Sequence, residues 1–175
     1  FLSARSGRQQ DLLLLLREGV SGAAPAIEIL AARAPDDVRA VKSLVIEYAD
    51  FLKEDLCFQG FEEEIGTFPV SYELLLLAKV GGAPAACIAL KALEDGVCEM
   101  KRLYARPAFR GRRLGEKLSI GLIEEARRRD YRVMRLDTLE RLKDAIALYR
   151  RLGFTETKAY YENPLSKVMF MELPL

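Results

Sequence analysis

The sequence predicts an α/β domain with mixed α+β character: a central, largely antiparallel sheet with one β-α-β crossover and flanking helices. Apolar runs at 74–80, 85–93 and 97–104 are separated by Gly81-Gly82 and Asp95-Gly96, which are hairpin turn signals. Further along the chain the apolar spacing changes to that of a helix and then returns to a strand run. A strand, a helix and a second strand in this order indicate a right-handed crossover between parallel strands.

The domain is predicted to begin with a strand at 26–33, followed by a helix that Pro35 opens. Acidic residues occupy the first turn of this helix, and its apolar positions recur at helical spacing up to Leu52. A loop at 53–60 leads to a short helix at 61–65. Residues 26–175 are therefore assigned to the domain, and residues 1–25 to an N-terminal appendage that can form one short helix.

The second half of the chain supplies the crossover. A helix is predicted at 113–129, where leucines recur on one face and arginines fill the last turn. Gly153 is a stop signal for the next helix. The remaining predicted elements alternate as strand, helix, strand and strand: 133–138, 140–152, 154–161 and 167–173.

Composition excludes several classes of function. The chain has 175 residues, with 27 Lys and Arg against 26 Asp and Glu, so its net charge of +1 argues against a general polyanion binder. It contains no histidine, which excludes a Ser-His-Asp triad and disfavours a zinc site. Its three cysteines form no CxxC pair, which is typical of free thiols in a reducing compartment and favours a cytoplasmic location. No apolar run is long enough to span a bilayer, so no membrane partner is expected.

The segment 110–115, Arg-Gly-Arg-Arg-Leu-Gly, has the chemistry of a phosphate cradle. It follows a predicted strand and opens a helix, where backbone N–H groups converge and the helix dipole begins. Arginine adds forked donors that match phosphate oxygens. An ordinary solvated loop with a helix-start glycine is the alternative. A nucleic-acid contact is a third interpretation, but no aromatic residues interleave the cations.

Two segments together resemble the GNAT superfamily of acyl-CoA-dependent N-acetyltransferases. The first is 101–107, Lys-Arg-Leu-Tyr-Ala-Arg-Pro, with the basic glycine loop that follows it. The second is 145–154, Ala-Ile-Ala-Leu-Tyr-Arg-Arg-Leu-Gly-Phe. The resemblance covers roughly residues 26–173. It implies a GNAT-like fold and transfer of an acetyl group from acetyl-CoA to a primary amine by direct attack, without a metal.

The resemblance also implies a cofactor site in the loop. Its amides would hold the pyrophosphate of acetyl-CoA in the family pattern Gln/Arg-x-x-Gly-x-Gly/Ala. Arg110 matches the first position and Gly115 the last, whereas Arg113 stands where the family usually has glycine. The implied cofactor-binding residues in the loop are Arg110, Gly111, Arg112, Arg113, Leu114, Gly115 and Glu116.

The end of the preceding strand completes the implied cofactor site. Leu103, Tyr104 and Ala105 match the strand end whose backbone groups pair with the pantetheine arm. The family splays two parallel strands at this place, and a β-bulge would serve that opening.

Tyr149 matches the family tyrosine that protonates the departing sulfur. With an unperturbed pKa of about 10, a tyrosine is mainly protonated at neutral pH and can act as an acid. A core tyrosine on the apolar face of the helix is the alternative.

The family's base is often a glutamate, acting directly or through water. Glu99, on the strand before the loop, is the candidate, and an ion pair within the sheet is the alternative. The run Glu62–Glu64 is another candidate, but a charge run of this kind is more typical of a solvated helix face. Asp137 either orients the substrate or caps the following helix. Cys57 has no base beside it in sequence, which disfavours a covalent acyl-cysteine route, and Cys87 and Cys98 are expected to be buried core residues.

The family analogy places the acceptor pocket between the early helices and the last strands. On one side it implies Phe58, Gln59, Phe61 and Glu62, and on the other Tyr160, Tyr161 and Asn163. Aromatic residues with a few polar groups suit a small-molecule amine, and the nearby acids favour a cationic one. The alternative is that these aromatic side chains close the core beneath a loop.

Two other functions remain open from the sequence. One is a non-catalytic acyl-CoA-binding regulator, and the other is an RNA-associated module that uses the arginines of the loop and of the following helix. The resemblance favours the enzyme over both. No nucleic-acid motif is present, so no nucleic-acid partner is expected. The resemblance and the leucine-rich appendage favour a homodimer.

Overall fold

A computed structural model describes residues 25–54 and 60–175 of the chain. The predicted appendage, up to residue 24, lies outside the described residues. So do Cys57, Phe58 and Gln59, which belong to the loop at 53–60.

Four helices and seven strands build the described part of the chain. The helices are α1 Pro35–Leu52, α2 Phe61–Gly66, α3 Leu114–Arg128 and α4 Lys143–Arg151. The strands are β1 Ile27–Ala31, β2 Leu74–Val80, β3 Ala83–Glu94, β4 Val97–Ala105, β5 Val133–Leu139, β6 Thr155–Thr157 and β7 Val168–Pro174. Among the helices of these ranges, none is long and apolar enough to cross a membrane.

The seven strands form one sheet in the order β1-β2-β3-β4-β5-β7-β6. All neighbours pair antiparallel except β4 and β5, which are parallel and connected through α3. This arrangement confirms the predicted mixed, largely antiparallel sheet with a single β-α-β crossover. The parallel pair lies near the middle of the sheet and has further strands on both sides.

Helices cover both faces of the sheet. On one face α3 packs its buried stripe of Leu114, Leu118 and Leu122 against the central strands. On the other face α1 buries Val41 and Leu44 with other residues of its apolar stripe. Each helix thus removes its apolar stripe from water, which is the main stabilising contribution of such a layer. Cys87 and Cys98 are fully buried, as predicted.

Several predicted elements are shorter in the structure, including the strand expected at 26–33, which spans Ile27–Ala31. The strand expected at 154–161 is only Thr155–Thr157, because Tyr160 and Tyr161 pack edge-to-face on the ring of Phe170 instead of continuing the ladder. The helix expected at 140–152 begins at Lys143. The backbone N–H of Glu140 still donates to the carbonyl of Lys167, so the chain remains extended there and enters the helix later.

Candidate active site

A crevice opens between β4 and β5 because the two parallel strands pair over only three residues. The paired positions are Val97 with Val133, Cys98 with Met134 and Glu99 with Arg135. Beyond them β4 stays paired to β3 and β5 to β7, while the two parallel strands separate.

The walls of the crevice come from the separated halves of the two strands. Residues 100–103 of β4 and 137–139 of β5 line it, together with Tyr48, Tyr149 and Leu165. The empty space amounts to about 570 Å³, including the part that is open to solvent. Backbone groups of β4 and β5 that face this space have no partner strand between them, so an extended ligand can pair with them.

A β-bulge in β4 produces the separation. Cys87 pairs with Tyr104 and Ala89 with Lys101, so that two residues of β4 oppose one residue of β3. Within the bulge Arg102 has a φ of 58°, in the left-handed region. Bulges bend the strand that carries them and increase its local twist, and this one lies where the crevice begins.

The side chain of Arg102 ties the bulge to α2. Its Nε and Nη2 donate to the carboxylate of Glu64 at 3.1 and 2.6 Å, and its guanidinium lies over the ring of Phe61. The Tyr72 hydroxyl donates to the same carboxylate. Both partners of the ion pair are buried. The network was not predicted, although the consecutive cations Lys101 and Arg102 interrupt the apolar alternation of β4 and are its signal in the sequence.

The glycine loop before α3 offers a row of free backbone donors. Within residues 25–54 and 60–175, the N–H groups of 111–116 donate to no backbone carbonyl. Gly111 adopts a φ of 80°, which glycine accepts without strain. The guanidinium of Arg110 lies 5.5 Å from the centre of the Phe51 ring at the end of α1, so a cation stands beside the donors. Such a loop is suited to a phosphate ligand.

Arg113 occupies the N-cap of α3 with a φ of 57°. The family glycine at this position therefore has a physical reason, because glycine adopts a positive φ at little cost. The Arg113 side chain is 76% exposed, and its Nε donates to Glu116 at 2.5 Å, which keeps the side chain on the outside of the helix. The same ion pair lowers the pKa of Glu116.

Gly115 brings the first turn of α3 close to its neighbours. A Cβ at this position would lie 3.6 Å from a methyl carbon of Leu148 and 3.9 Å from the methyl carbons of Leu103. These are ordinary van der Waals distances, which agrees with a family position that accepts glycine or alanine. The loop is thereby placed directly at the end of β4.

Tyr149 lies on α4 and lines the crevice. Its ring packs edge-to-face on Phe154, and the side chain is buried. Burial raises the pKa of the Tyr149 hydroxyl, and the proximity of Tyr48 and Asp137 raises it further. The hydroxyl therefore keeps its proton at neutral pH. In the described ranges no hydrogen bond to another side chain engages this hydroxyl.

Glu99 is buried on β4, at the last paired position before the crevice. The Tyr160 hydroxyl donates to its Oε1 at 2.7 Å, and the Lys101 Nζ lies 3.5 Å from its Oε2. Burial raises the pKa of Tyr160, and the charge of Glu99 raises it further. The ion-pair alternative for Glu99 is thus present in the structure.

Asp137, on β5, is also paired with a tyrosine hydroxyl. A hydrogen bond joins it to Tyr161, whose pKa is raised by burial and by the nearby carboxylate. The expectation that Asp137 caps the following helix is wrong: the N-cap of α4 is Leu142, without a side-chain hydrogen bond. Asp137 instead faces the crevice.

The remaining predicted acceptor residues are distributed unevenly. Phe61 lies beneath Arg102, and Glu62 is exposed on the first turn of α2. The solvated-face interpretation of the acidic run fits Glu62 and Glu63, but Glu64 is buried. Asn163 donates to the Tyr161 hydroxyl, and its side-chain oxygen accepts from the backbone of Leu165, so it shapes the last loop.

Comparisons with known proteins agree with this geometry. Residues 40–154 match the acetyltransferase (GNAT) family. A relative from Schizosaccharomyces pombe, named as an uncharacterized N-acetyltransferase, is 36% identical over 155 residues, which are 85% of this chain and 95% of that protein.

Solved structures show the same fold. An acetyltransferase from Streptococcus agalactiae superposes with a TM-score of 0.70 at 22% identity, over 85% of this chain and 98% of that one. The paia N-acetyltransferase from Thermoplasma acidophilum, solved in complex with coenzyme A, gives a TM-score of 0.63 at 16% identity, over 85% and 99%.

Proposed function

Since this chain belongs to the GNAT family of acetyltransferases and is an N-acetyltransferase, we propose that its cosubstrate is acetyl-CoA and its acceptor a primary amine of a small molecule. One observation carries the proposal. The crevice between β4 and β5 has Tyr149 in its wall, and the unpaired amides of 111–116 belong to the loop that follows β4.

The residues present fit acetyl-CoA at two places. The loop amides and Arg110 complement a diphosphate, which needs several donors and positive charge. The separated edges of β4 and β5 offer backbone groups to an amide-containing arm such as pantetheine. Leu103, Tyr104 and Ala105 are the β4 residues that would serve this purpose. A fold relative solved with coenzyme A supports the same choice of cosubstrate.

The reaction needs no nucleophile from the protein. The amine nitrogen attacks the thioester carbonyl carbon, a C–N bond forms and the C–S bond breaks. Tyr149, which is protonated at neutral pH, gives its proton to the departing sulfur. Glu99 accepts the proton that the amine loses, through a water molecule. Burial of these groups strengthens the electrostatic interactions that hold them in place.

The test is release of free thiol from acetyl-CoA with a broad library of small amines. We expect at least one amine to release coenzyme A and to be recovered as its acetamide by mass spectrometry. Coenzyme A binding without thiol release from any amine would overturn the proposal in favour of the acyl-CoA-binding regulator.

A further inference from the structure

A second polar cleft adjoins the crevice on the α1 and α2 face of the sheet. It has about 630 Å³ of empty space, including its solvent-open part. The side chains that line it are mostly charged or hydroxylic: Glu63, Glu64, Thr67, Ser71, Tyr72, Lys91 and Lys101. Lys101 also lines the crevice, so the two spaces meet at this side chain.

Two lysines on neighbouring strands line the cleft, and Glu99 lies next to both of them in the register of the sheet. Lys91 of β3 stands directly opposite Glu99 of β4 in the register, and Lys101 follows Glu99 by two residues on the same face. Lys91 and Lys101 are therefore diagonal neighbours, with Cα atoms about 7–8 Å apart. Their long side chains can both reach one anion beside Glu99.

The charges of this region are incompletely paired. Arg102 and Tyr72 satisfy Glu64. Lys101 contacts Glu99 at only 3.5 Å. In the described part of the chain Lys91 makes no ion pair within 4.0 Å and is half-buried, while Glu63, which also lines the cleft, is exposed to solvent. Lys91 is therefore a half-buried cation of this cleft that has no acidic partner among the described residues.

We propose that this cleft binds a carboxylate of the acceptor, so that the substrate is an amino acid or a similar zwitterion. The inference rests on the proposed acetyl transfer and names its substrate class. The carboxylate lies between Lys91 and Lys101, and the amine a few bonds away faces Glu99.

Charge pairing favours a zwitterion over a simple amine. An incoming ammonium competes with Lys101 for Glu99, and a half-buried cation left without a partner is costly. A zwitterion replaces both halves of the Lys101–Glu99 pair, because its ammonium meets Glu99 and its carboxylate meets Lys101. A simple amine replaces only one half.

The test compares acceptors that differ only in the carboxylate. Alanine, leucine and phenylalanine are each paired with the amine formed by their decarboxylation: ethylamine, isoamylamine and phenethylamine. With acetyl-CoA saturating, we expect kcat/KM to be at least 10-fold higher for the amino acid in at least one pair. The matching aminophosphonic acids show whether another anion is accepted in place of the carboxylate.

Two variants locate the effect. Lys91→Met keeps the apolar stem of the side chain and removes its charge. It should lower the ratio of kcat/KM for the amino acid to kcat/KM for the amine at least 5-fold. Lys91→Arg keeps the charge and should preserve most of this ratio. Lys42→Met is the matched control, since Lys42 on α1 is similarly half-buried, makes no ion pair among the described residues and lines neither space. It should leave the ratio unchanged.

The possible failures are distinguishable. If amines and amino acids are acetylated equally well, or if Lys91→Met keeps the wild-type ratio, the carboxylate site is overturned and acetyl transfer stands. If none of these acceptors releases coenzyme A but another amine of the broad library does, the carboxylate site is overturned and acetyl transfer stands. If no amine of the library releases coenzyme A, both proposals are overturned.

Discussion

Arg113 adopts a left-handed backbone conformation, with a φ of 57°, at the position where the resembled GNAT pattern has glycine. An L side chain in this region costs about 1–2 kcal/mol relative to its usual conformation. The exposed ion pair with Glu116 offsets little of that cost, because surface pairs contribute about 0–1 kcal/mol. The residue therefore stores local strain beside the free amides of the loop.

Replacing Arg113 with glycine should relieve this strain. Part of the gain is lost because glycine has more conformational freedom in the unfolded chain, so we expect the free energy of unfolding in urea to rise by about 0.5 kcal/mol. Arg112→Gly is the control: Arg112 has no positive φ, and its replacement should lower the same quantity. Equal effects of the two substitutions would show that backbone strain does not explain the departure from glycine.

Tyr149→Phe removes a single oxygen atom and tests whether Tyr149 is the general acid. The ring keeps its edge contact with Phe154, but the proton donor is lost. We expect kcat to fall about 100-fold, with the dissociation constant of acetyl-CoA changed little. Tyr131→Phe is the control, because its hydroxyl donates to Glu73 and does not line the crevice. Unchanged turnover in Tyr149→Phe would remove this residue from the mechanism.

Between elements, the buried pair of Arg102 and Glu64 connects the bulge of β4 to α2. Removing one partner of a buried ion pair leaves an uncompensated charge and costs about 3–5 kcal/mol. We expect Glu64→Leu to lower the free energy of unfolding by about that amount, and to raise the KM for acetyl-CoA because the bulge shapes the crevice. Urea unfolding and steady-state kinetics measure the two effects.

The double variant Glu64→Leu with Arg102→Met separates charge from shape. Replacing both partners by apolar residues leaves no buried charge, so much of the lost stability should return. If the double variant is as unstable as the sum of the single variants, the pair contributes through packing with Phe61 and Tyr72 rather than through charge.

The same elements show how far the sequence predicts this fold. Hairpin glycines and apolar periodicity located the strands and helices, because these features act locally. Alternation could not place Arg102, because a bulge shifts the pattern and the partner, Glu64, lies 38 residues away. Alternation also failed at Tyr160 and Tyr161, whose aromatic side chains are typical of a strand. In the structure they contact residues distant in sequence instead, namely Phe170, Glu99 and Asp137.

For the candidate site as well, local sequence patterns predict some residues, whereas others depend on tertiary structure. The glycine loop and Tyr149 could be proposed as site residues because their order along the chain resembles the family pattern. The roles proposed for Lys91 and Lys101 could not be predicted, since they depend on the register between β3 and β4. Register is fixed by the whole sheet and is not visible in either strand alone.

At the scale of the whole molecule, the described cysteine thiols and several tyrosine hydroxyls are buried in their neutral, protonated form. Burial raises the pKa of Cys87 from 9.0 to about 12, and that of Tyr48 from 10.0 to about 12. The pKa values of Cys98 and of several other tyrosines are also raised. In each case the unfolded chain loses the proton at a lower pH than the folded chain does.

This linkage predicts an alkaline limit to stability. Because the folded pKa values are raised, the contribution of Cys87 is fully present below pH 9 and is lost as the pH rises from 9 toward 12, at about 1.4 kcal/mol per pH unit. The contribution of Tyr48 is lost in the same way above pH 10. We expect the free energy of unfolding in urea to be nearly constant from pH 7 to 8.5 and to fall above pH 9. Cys87→Ala should be less stable at every pH, because it leaves a small cavity, but its decline above pH 9 should be shallower than that of the wild type. A decline of equal slope in the two proteins would show that the Cys87 thiol is not part of this limit.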